Sequence, residues 1–307
     1  MRAFTLDSFD TPPGLRDDLP TPSPEPNEVL VSVHASSVNG ADVPIAAGML
    51  KDMAEYEFPV TIGRDFAGVI EDVGSGVSRY KAGDEVYGFF GAADPTVHKG
   101  SWADYVVATE VTSVARKPES VDFATAGAAP LAGITALAAL DELQLSEGAS
   151  VLVVGAAGGV GSFFVQLAAA AGANVITPGL PEDHEYLRGL GAAEVIERSA
   201  DVAAQVREQH PDGVDALLDL VSFTPDDSVL KRGGRLASTL GAAGEGPGRS
   251  NLMALPTTPN LERLAQLLDA GALRVPIQHT YPLEQAGTAL DALPTTHTQG
   301  KLAITVG

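Results

Sequence analysis

A glycine-rich turn at residues 151–161 is the segment whose residue types and spacing point most directly to chemistry. The stretch reads VLVVGAAGGVG, with Ala156, Gly158 and Gly161 at the three positions of the pattern G-x-G-x-x-G. In that pattern the middle glycine lets the backbone approach a pyrophosphate, and the last lets a helix pack closely on the preceding strand. Free N–H groups at the positive end of the helix then bind the phosphates. Because an apolar strand precedes the turn and a helical pattern follows it, we interpret it as a dinucleotide-binding turn rather than a purely structural one.

The segment that ends the second strand, ITPGLP at 176–181, bears on which dinucleotide is bound. An acidic residue there would bind the ribose hydroxyls of NAD, and its absence favours NADP(H). The 2′-phosphate needs a cation, for which Arg198, just past the third predicted strand, is the best placed. Arg188 is an alternative, although it falls in the middle of a predicted helix. For Arg198 the competing interpretation is a surface ion pair with Glu197 or Asp201.

The sequence offers no ligand set for a metal ion. It contains no cysteine, which excludes disulfides and thiolate zinc sites, and its histidines show no spacing such as H-x-x-x-H. His98 could donate a proton, with a histidine in a solvated loop as the alternative. Asp42 and Asp65 are interpreted as turn or cap residues rather than general acids.

A fold must position these residues, and from about residue 120 the sequence alternates between helical and strand patterns. Alanine-rich residues 123–140 are helical in pattern. Predicted strands at 151–154, 174–177, 194–196, 216–220 and 235–239 then alternate with predicted helices at 160–171, 184–190 and 202–210. Such alternation predicts an α/β fold with a doubly wound parallel sheet.

The first part of the chain is predicted to be rich in β-strands. Strand candidates at 29–34, 66–73, 85–90 and 103–107 are separated by glycines. A helix at 261–270 is followed by strands at 275–280 and 302–306, which we expect to return and pair with the first domain. The expected domains are therefore residues 1–118 with 272–307, rich in β-strands, and residues 119–271, which bind the dinucleotide.

Composition excludes several functions. The 307 residues include 40 acidic and 19 basic side chains, giving a net charge of −21, which disfavours binding to nucleic acid or an anionic membrane. Residues 150–181 carry no charge, but glycines interrupt them, which fits a buried strand, turn and helix better than a membrane span. The N-terminus turns acidic at once, unlike a signal peptide, so a cytoplasmic protein is expected.

Several motifs together resemble the medium-chain dehydrogenase/reductase superfamily, in its zinc-independent quinone oxidoreductase branch. The resemblance runs over nearly the whole chain and implies a GroES-like domain joined to a Rossmann domain, with the active site in the cleft. Zinc-dependent relatives carry Cys at the start of the Asn39–Asp42 motif and Gly-His-Glu where this chain has GRD at 63–65. The motifs that carry the resemblance are SVNGAD at 37–42, GRDFAGVIEDVG at 63–74, KAGDEVYG at 81–88, GSWADY at 100–105, AGITA at 132–136, the turn at 155–161, LDLV at 218–221 and GGRL at 233–236.

The resemblance also implies roles for individual residues. Asn39 would face the nicotinamide and the substrate, and Thr135 would lie near the nicotinamide ribose. The other expected cofactor contacts are Gly158, Gly159 and Val160 to the pyrophosphate, Thr177, Pro178 and Gly179 to the adenosine ribose, and Val221, Leu240, Gly241 and Ala242 beside the nicotinamide half.

The chain departs from the family where relatives have tyrosines after the Asn-x-x-Asp motif. Pro44 and Leu50 stand at those places, and Tyr56 is the nearest tyrosine, with a surface role as its alternative. Leu50, Tyr56 and Trp102 are assigned to the substrate pocket, with burial in the β-rich core as the alternative for Trp102. Asp183 stands where some relatives have a lysine that binds the 2′-phosphate.

These observations predict an NADPH-dependent, zinc-independent oxidoreductase that transfers hydride to a quinone-type electrophile. A reductase of enones or enoyl thioesters is the alternative, and a non-catalytic NADPH-binding sensor is the alternative from another class. The expected partner is a small-molecule substrate, with neither nucleic acid nor membrane, and a homodimer is left open as the assembly.

The first testable prediction concerns metal content. Because the chain has no cysteine and has Arg64 and Asp65 in place of His and Glu, we expect no stoichiometric zinc and no loss of activity with chelators. Elemental analysis of the purified protein checks this. About one zinc per chain, with activity lost on its removal, would contradict the prediction.

Overall fold

The secondary structure, in a computed structural model, is described for residues 1–91, the backbone of 96–97, and residues 99–307. The strands are β1 (Ala3–Leu6), β2 (Gly14–Arg16), β3 (Glu28–Val38), β4 (Glu55–Tyr56), β5 (Val60–Thr61), β6 (Asp65–Val73), β7 (Glu85–Phe89), β8 (Thr96–Val97), β9 (Tyr105–Thr109), β10 (Val114–Arg116), β11 (Ser150–Val154), β12 (Asn174–Gly179), β13 (Glu194–Glu197), β14 (Val214–Asp219), β15 (Leu230–Ser238), β16 (Arg249–Asn251), β17 (Ile277–Pro282) and β18 (Lys301–Thr305). The helices are α1 (Asp42–Ala46), α2 (Phe123–Ala128), α3 (Pro130–Leu143), α4 (Gly159–Ala170), α5 (His184–Leu190), α6 (Val202–Gln209), α7 (Thr258–Asp269) and α8 (Ala286–Thr295).

The chain packs into two compact units. Unit 1 comprises Met1–Ile134, Leu255–Gly271 and Ile277–Gly307, and unit 2 comprises Thr135–Ala254 and Ala272–Pro276. These boundaries differ from 1–118 with 272–307 and 119–271, because α2 and α7 pack in unit 1. The α2 helix lies on β3 and β6, and the Tyr87 hydroxyl donates a hydrogen bond of 2.5 Å to the backbone oxygen of Leu261 in α7.

Unit 1 is built on a seven-stranded sheet in the order β10-β7-β6-β3-β18-β17, with β9 also pairing with β3. The C-terminal strand β18 runs antiparallel to β3, with Leu302 opposite Val38, so the predicted return of the last strands is confirmed. This register places Lys301 beside Asn39, at the point where β3 ends. A core of aromatic and branched aliphatic side chains, including Phe4, Phe66 and Trp102, lies beneath the strands.

Unit 2 is built on a six-stranded parallel sheet in the order β13-β12-β11-β14-β15-β16. From β11, the strands β12 and β13 follow outward on one side, and β14, β15 and β16 follow outward on the other. The direction in which strands are added therefore reverses between β11 and β14. This is the doubly wound arrangement whose switch point binds dinucleotides. The predicted α/β fold class is therefore confirmed.

Local chemistry explains where the elements differ from the sequence prediction. The single helix expected over 123–140 is two helices, because Asp122 caps α2 by accepting from the Thr125 N–H and Pro130 begins α3. The α7 helix begins earlier than expected because the Thr257 side chain caps it by accepting from the Asn260 N–H. The α8 helix was not predicted, and Pro294 within it obscures the helical pattern.

The uncharged stretch 150–181 folds as predicted, into β11, a turn, α4 and β12. Among the described residues no helix is long and apolar enough to cross a membrane.

Candidate functional site

The glycines of the turn between β11 and α4 have separate roles. A Cβ atom on Gly161 would come within 2.3 Å of the Gly155 backbone oxygen, so only glycine allows the helix to pack this closely on the turn. A Cβ atom on Gly158 would meet only the Gly155 oxygen, at 3.6 Å. The absence of a side chain at Gly158 is therefore not required by packing, and it leaves room for a ligand at the backbone.

The amino end of α4 is a site for an anion. Gly158 is its N-cap, in an extended conformation and without a side-chain cap. The first N–H groups of a helix have no partner within the helix, and the helix dipole makes this end positive. The turn thus fits the pyrophosphate of a dinucleotide, with Gly158, Gly159 and Val160 as the residues that would hold it.

Apolar side chains lie beyond the carboxyl ends of β14 and β15. The buried Asp219 accepts hydrogen bonds from the backbone N–H groups of Val221 and Ser222, at 3.0 and 2.8 Å, and so fixes the turn after β14. Val221 is 57% exposed and Phe223 is 78% exposed, and Leu240 after β15 is also exposed. Exposed apolar side chains at the switch point fit the flat nicotinamide ring. Phe223 was not identified from the sequence, because the motif that carries the resemblance stops at residue 221.

The end of β12 differs from the sequence prediction. The strand continues to Gly179, and Thr177 is fully buried within it, opposite Val195 of β13. Its side chain has no exposed surface, so a contact of Thr177 with the adenosine ribose would have to be made by its backbone, and its assignment stays a prediction. The Asp183 carboxylate is also buried, and it accepts from the Leu180 N–H at 3.1 Å, which closes the turn after the strand.

Arg198 lies beside the end of β12. It is exposed in the turn after β13, and its backbone N–H donates to the Gly179 oxygen at 3.2 Å. Glu197 accepts from Ser199, and Asp201 caps α6 by accepting from the Ala204 N–H. Within the described residues Arg198 forms no ion pair, so the competing interpretation of this residue is not supported.

The remaining residues assigned to the cofactor differ in how far they are exposed. Pro178 is half-buried and Gly179 is buried in β12, whereas Gly241 is exposed, with a φ of +72°, and Ala242 is half-buried after β15. Thr135 lies in α3 and is 7% exposed. The roles of these residues stay predictions.

In unit 1, Asn39 lies in a buried polar network. Its Nδ2 atom donates to Asp65 Oδ2 at 2.8 Å, and its Oδ1 atom accepts from Lys301 Nζ at 2.6 Å. Asn39 is 7% exposed, and Asp65 and Lys301 are buried. The carboxamide is thus held between an anion and a cation.

Asp65 is the acceptor at the centre of this network. Its carboxylate accepts from Ser37 Oγ at 2.5 Å and from the Leu131 N–H at 2.8 Å, and Lys301 Nζ lies 3.6 Å from Oδ2. Its interpretation as a turn or cap residue is wrong, because its partners come from β3, α3 and β18. Lys301 was not identified from the sequence, although a charged residue at the start of the apolar strand KLAIT is a signal of a buried polar contact.

Asp42 is a turn residue, as expected. Its N–H donates to the Asn39 backbone oxygen, and its Oδ2 atom accepts from the Asn39 N–H at 2.7 Å. Within the described residues, Oδ1 has no hydrogen-bond partner. Burial raises the pKa of Asp42 to about 7, against the opposing effects of the Asn39 N–H, Arg64 and Lys301, while Asp65 adds to the rise.

The three residues assigned to a substrate pocket occupy different environments. Trp102 is fully buried, packs on Gly63 and Phe4, and donates from Nε1 to the Ser37 oxygen at 3.2 Å, so its assignment to a pocket is wrong. Tyr56 is half-buried, and its hydroxyl donates to the Ile45 oxygen at 3.4 Å.

The remaining sequence assignments concern Leu50, His98 and metal binding. Leu50 is half-buried against the core. His98 lies outside the described residues. Among the described residues, no group of three or more His, Asp or Glu side chains could hold a metal ion.

Comparison with known proteins identifies both parts of the chain. Residues 25–119 match the alcohol dehydrogenase GroES-like domain, and residues 190–304 match the zinc-binding dehydrogenase family. A chloroplast envelope quinone oxidoreductase homolog of Arabidopsis thaliana is 30% identical, over 93% of this chain and 92% of that protein. A chloroplastic NADPH-dependent alkenal/one oxidoreductase of the same plant is 31% identical, over 94% and 75%. The quinone oxidoreductase structure from Coxiella burnetii aligns with a TM-score of 0.88 and 31% identity, covering 100% of this chain and 99% of that one.

The raised pKa of Asp42 predicts a pH-dependent stability. The folded protein binds the Asp42 proton more tightly than the unfolded chain does, so this contribution is fully present below about pH 4 and is lost as the pH rises through about 7. From about pH 5 to about pH 8, we expect the unfolding free energy of the wild type to fall by on the order of 2 kcal/mol more than that of Asp42→Asn.

Urea denaturation at both pH values measures this difference. Asp52→Asn, at an exposed position in the same unit, is the control and should follow the wild type. If Asp42→Asn also shows the wild-type pH dependence, the carboxyl group of Asp42 does not titrate in this range.

Proposed function

Because the chain belongs to the quinone oxidoreductase branch of the medium-chain dehydrogenase/reductase superfamily, and is therefore an oxidoreductase that uses a nicotinamide cofactor, we propose that it is an NADPH-dependent, zinc-independent quinone reductase. The observation that carries the proposal is the glycine turn of unit 2 at the switch point of a doubly wound sheet. When bound, the cofactor supplies a hydride to the electrophile. The protein supplies binding, orientation and hydrogen-bond donors.

The position of Arg198 supports NADPH over NADH. Its backbone bond to Gly179 holds it beside the end of β12, where the adenosine ribose of a dinucleotide binds in this fold. The guanidinium is exposed and can form charge-assisted hydrogen bonds with a 2′-phosphate. Of the first two acids after the strand, Glu182 is exposed, whereas Asp183 is buried and accepts a hydrogen bond from the Leu180 N–H.

The surroundings of Asn39 support a carbonyl-containing acceptor. Hydride addition to a quinone places negative charge on an oxygen, which an N–H donor stabilises and water can protonate. One Nδ2 proton of Asn39 is bonded to Asp65, and the other can donate to that oxygen. After α1, Met49 is 70% exposed and Leu50 is half-buried, and both offer apolar surface to a flat ring, whereas Ile45 within the helix is buried in the core.

Zinc independence is supported by the side chains at the places where zinc-dependent relatives have ligands. Asn39 stands in place of the cysteine, and its carboxamide is bonded to Asp65 and Lys301. Arg64 stands in place of the histidine, and a guanidinium is not a zinc ligand.

Reduction of enones is the second candidate, and the similarity to the alkenal/one oxidoreductase favours it. That reaction requires protonation at carbon, which benefits from a positioned acid. Tyr56 is the nearest tyrosine to the family positions, and its hydroxyl is bonded to the Ile45 oxygen. The quinone assignment therefore depends on Tyr56 not serving as that acid.

Removing the Arg198 guanidinium is predicted to erode the preference for NADPH. An arginine–phosphate contact contributes about 1.5–3 kcal/mol, so Arg198→Ala should weaken NADPH binding roughly tenfold or more and leave NADH binding almost unchanged. Titration of both dinucleotides by fluorescence or calorimetry measures the two dissociation constants. Arg188→Ala, at another exposed arginine of unit 2, is the control and should keep the wild-type ratio. The wild-type ratio in Arg198→Ala would show that Arg198 does not bind the phosphate.

The choice of acceptor is predicted to favour quinones. We expect kcat/KM to be higher for a simple naphthoquinone than for a short trans-2-enoyl thioester, because only the thioester needs an acid for carbon protonation. A preference for the thioester of about tenfold, or about 1.4 kcal/mol in the transition state, would overturn the quinone assignment. Tyr56→Phe is measured alongside, and loss of thioester activity in this variant would identify Tyr56 as the acid.

A further inference from the structure

We infer that Lys301 and Asp65 are positioning residues that fix the orientation of the Asn39 carboxamide, so that it presents an N–H group, and not its oxygen, to the substrate. The inference rests on the proposed function, because it concerns the carbonyl acceptor that Asn39 would contact. It assigns a role to a lysine at the far end of the chain from the Asn39 motif.

The side chain of Lys301 is buried where β18 begins, beside the end of β3. Its ammonium group lies 2.6 Å from Asn39 Oδ1, 3.0 Å from the Val38 oxygen and 3.6 Å from Asp65 Oδ2. Three oxygens thus surround a group with three protons. The Lys301 side chain is 2% exposed and that of Asp65 is 0%, so water does not screen the charges.

The two charges distinguish the two ends of the carboxamide. The oxygen and the nitrogen of an asparagine side chain have almost the same shape, so packing alone does not choose between the two orientations. Here the Lys301 ammonium can only donate, so it pairs with the Asn39 oxygen, and the Asp65 carboxylate can only accept, so it pairs with the Asn39 NH₂ group. A flip of the Asn39 carboxamide would place its NH₂ group against the ammonium and its oxygen against the carboxylate.

The main chain of Asn39 is held independently of its side chain. Its N–H donates to Asp42 Oδ2 at 2.7 Å, and its oxygen accepts from the Asp42 N–H at 3.0 Å. Loss of Lys301 would therefore release the rotation of the carboxamide without releasing the turn that carries it. The role of Lys301 is thereby separable from the local fold.

The fixed orientation determines what the carboxamide offers to a ligand. Oδ1 accepts from Lys301 and one Nδ2 proton goes to Asp65, while within the described residues no acceptor takes the second Nδ2 proton. Asn39 as a whole retains 7% of its surface, and we assign the second Nδ2 proton to this exposed part. As hydride adds to the acceptor, its carbonyl oxygen becomes negative, and a preorganised donor stabilises this charge without reorganising. The flipped carboxamide would instead point an oxygen at the developing anion.

Energetics also favour a functional explanation for the buried pair. A buried ion pair contributes little net stability compared with apolar residues of similar size, although removing one partner alone is costly. The pair therefore needs a reason other than stability. Orientation of Asn39 is the role that its contacts provide.

A double-mutant cycle tests the inference. Asn39→Ala, Lys301→Met and the double variant are compared by steady-state kinetics with a naphthoquinone, and NADPH binding is titrated separately. We expect Lys301→Met to lower kcat about tenfold and to change the NADPH dissociation constant less than twofold. In the Asn39→Ala background, the same change should alter kcat less than twofold, because Lys301 acts through Asn39. Additive effects on kcat would overturn the inference.

Two further variants separate orientation from stability. Lys117→Met removes another buried lysine of unit 1, one that is paired with Glu85 at 3.2 Å, and should keep the wild-type kcat. Lys301→Met/Asp65→Asn removes both charges together, so it should fold even if Lys301→Met does not, yet it should remain about tenfold slow. Wild-type kcat in this charge-balanced variant would overturn the inference.

The activity of the wild type distinguishes a failure of the proposed function from a failure of the role inferred for Lys301. If the wild type reduces neither quinones nor enones, the proposed function fails and the inference fails with it. If the wild type is active and Lys301→Met has the wild-type kcat, only the inference fails.

Discussion

The hydrogen-bonding requirement of the buried Asp65 carboxylate is the constraint on which the polar network around Asn39 depends. Asp65 begins β6, Lys301 begins β18, and the other partners of the carboxylate come from β3, the residue after it, and α3. A carboxylate without exposed surface must find its hydrogen bonds within the protein. These elements are therefore held in one arrangement, and removing one charge alone would cost about 3–5 kcal/mol.

The polar groups of the two candidate sites differ in whether they already have hydrogen-bond partners within the protein. In unit 1, the polar side chains near Asn39 are buried and bonded to one another, so their positions are fixed before any ligand arrives. In unit 2, the amino end of α4 has backbone N–H groups without a side-chain cap, and Gly158 leaves the space beside them open. The first arrangement is suited to orienting a donor, and the second to receiving a phosphate.

Electrostatics place a second constraint on ligand binding. The chain carries a net charge of −21, and a dinucleotide is itself an anion. Affinity must therefore come from local groups, which in the proposed function are the positive end of α4 and the exposed guanidinium of Arg198. Because the carboxylates near Arg198 are bonded to Ser199 and the Ala204 N–H, the guanidinium can pair with a ligand.

The sequence by itself determined those features that depend on neighbouring residues. The glycine turn, the alternation of strands and helices in unit 2 and the return of the last strands are encoded in local spacing and periodicity, and the structure contains each of them. The absence of cysteine likewise excluded thiolate chemistry from composition alone. The assignment of Asn39 to the reactive site rested on its motif, whereas the partners of Asn39 did not follow from that motif.

Only the tertiary structure decided the contacts between distant parts of the chain. Lys301 and Asn39 are separated by 262 positions, and they meet because of the register in which β18 pairs with β3. The burial of Trp102 and Thr177 was decided in the same way, by which side of a strand or loop faces the core. Since a strand exposes or buries a residue according to its pairing and not its type, local sequence could not assign these side chains to a ligand site or to the core.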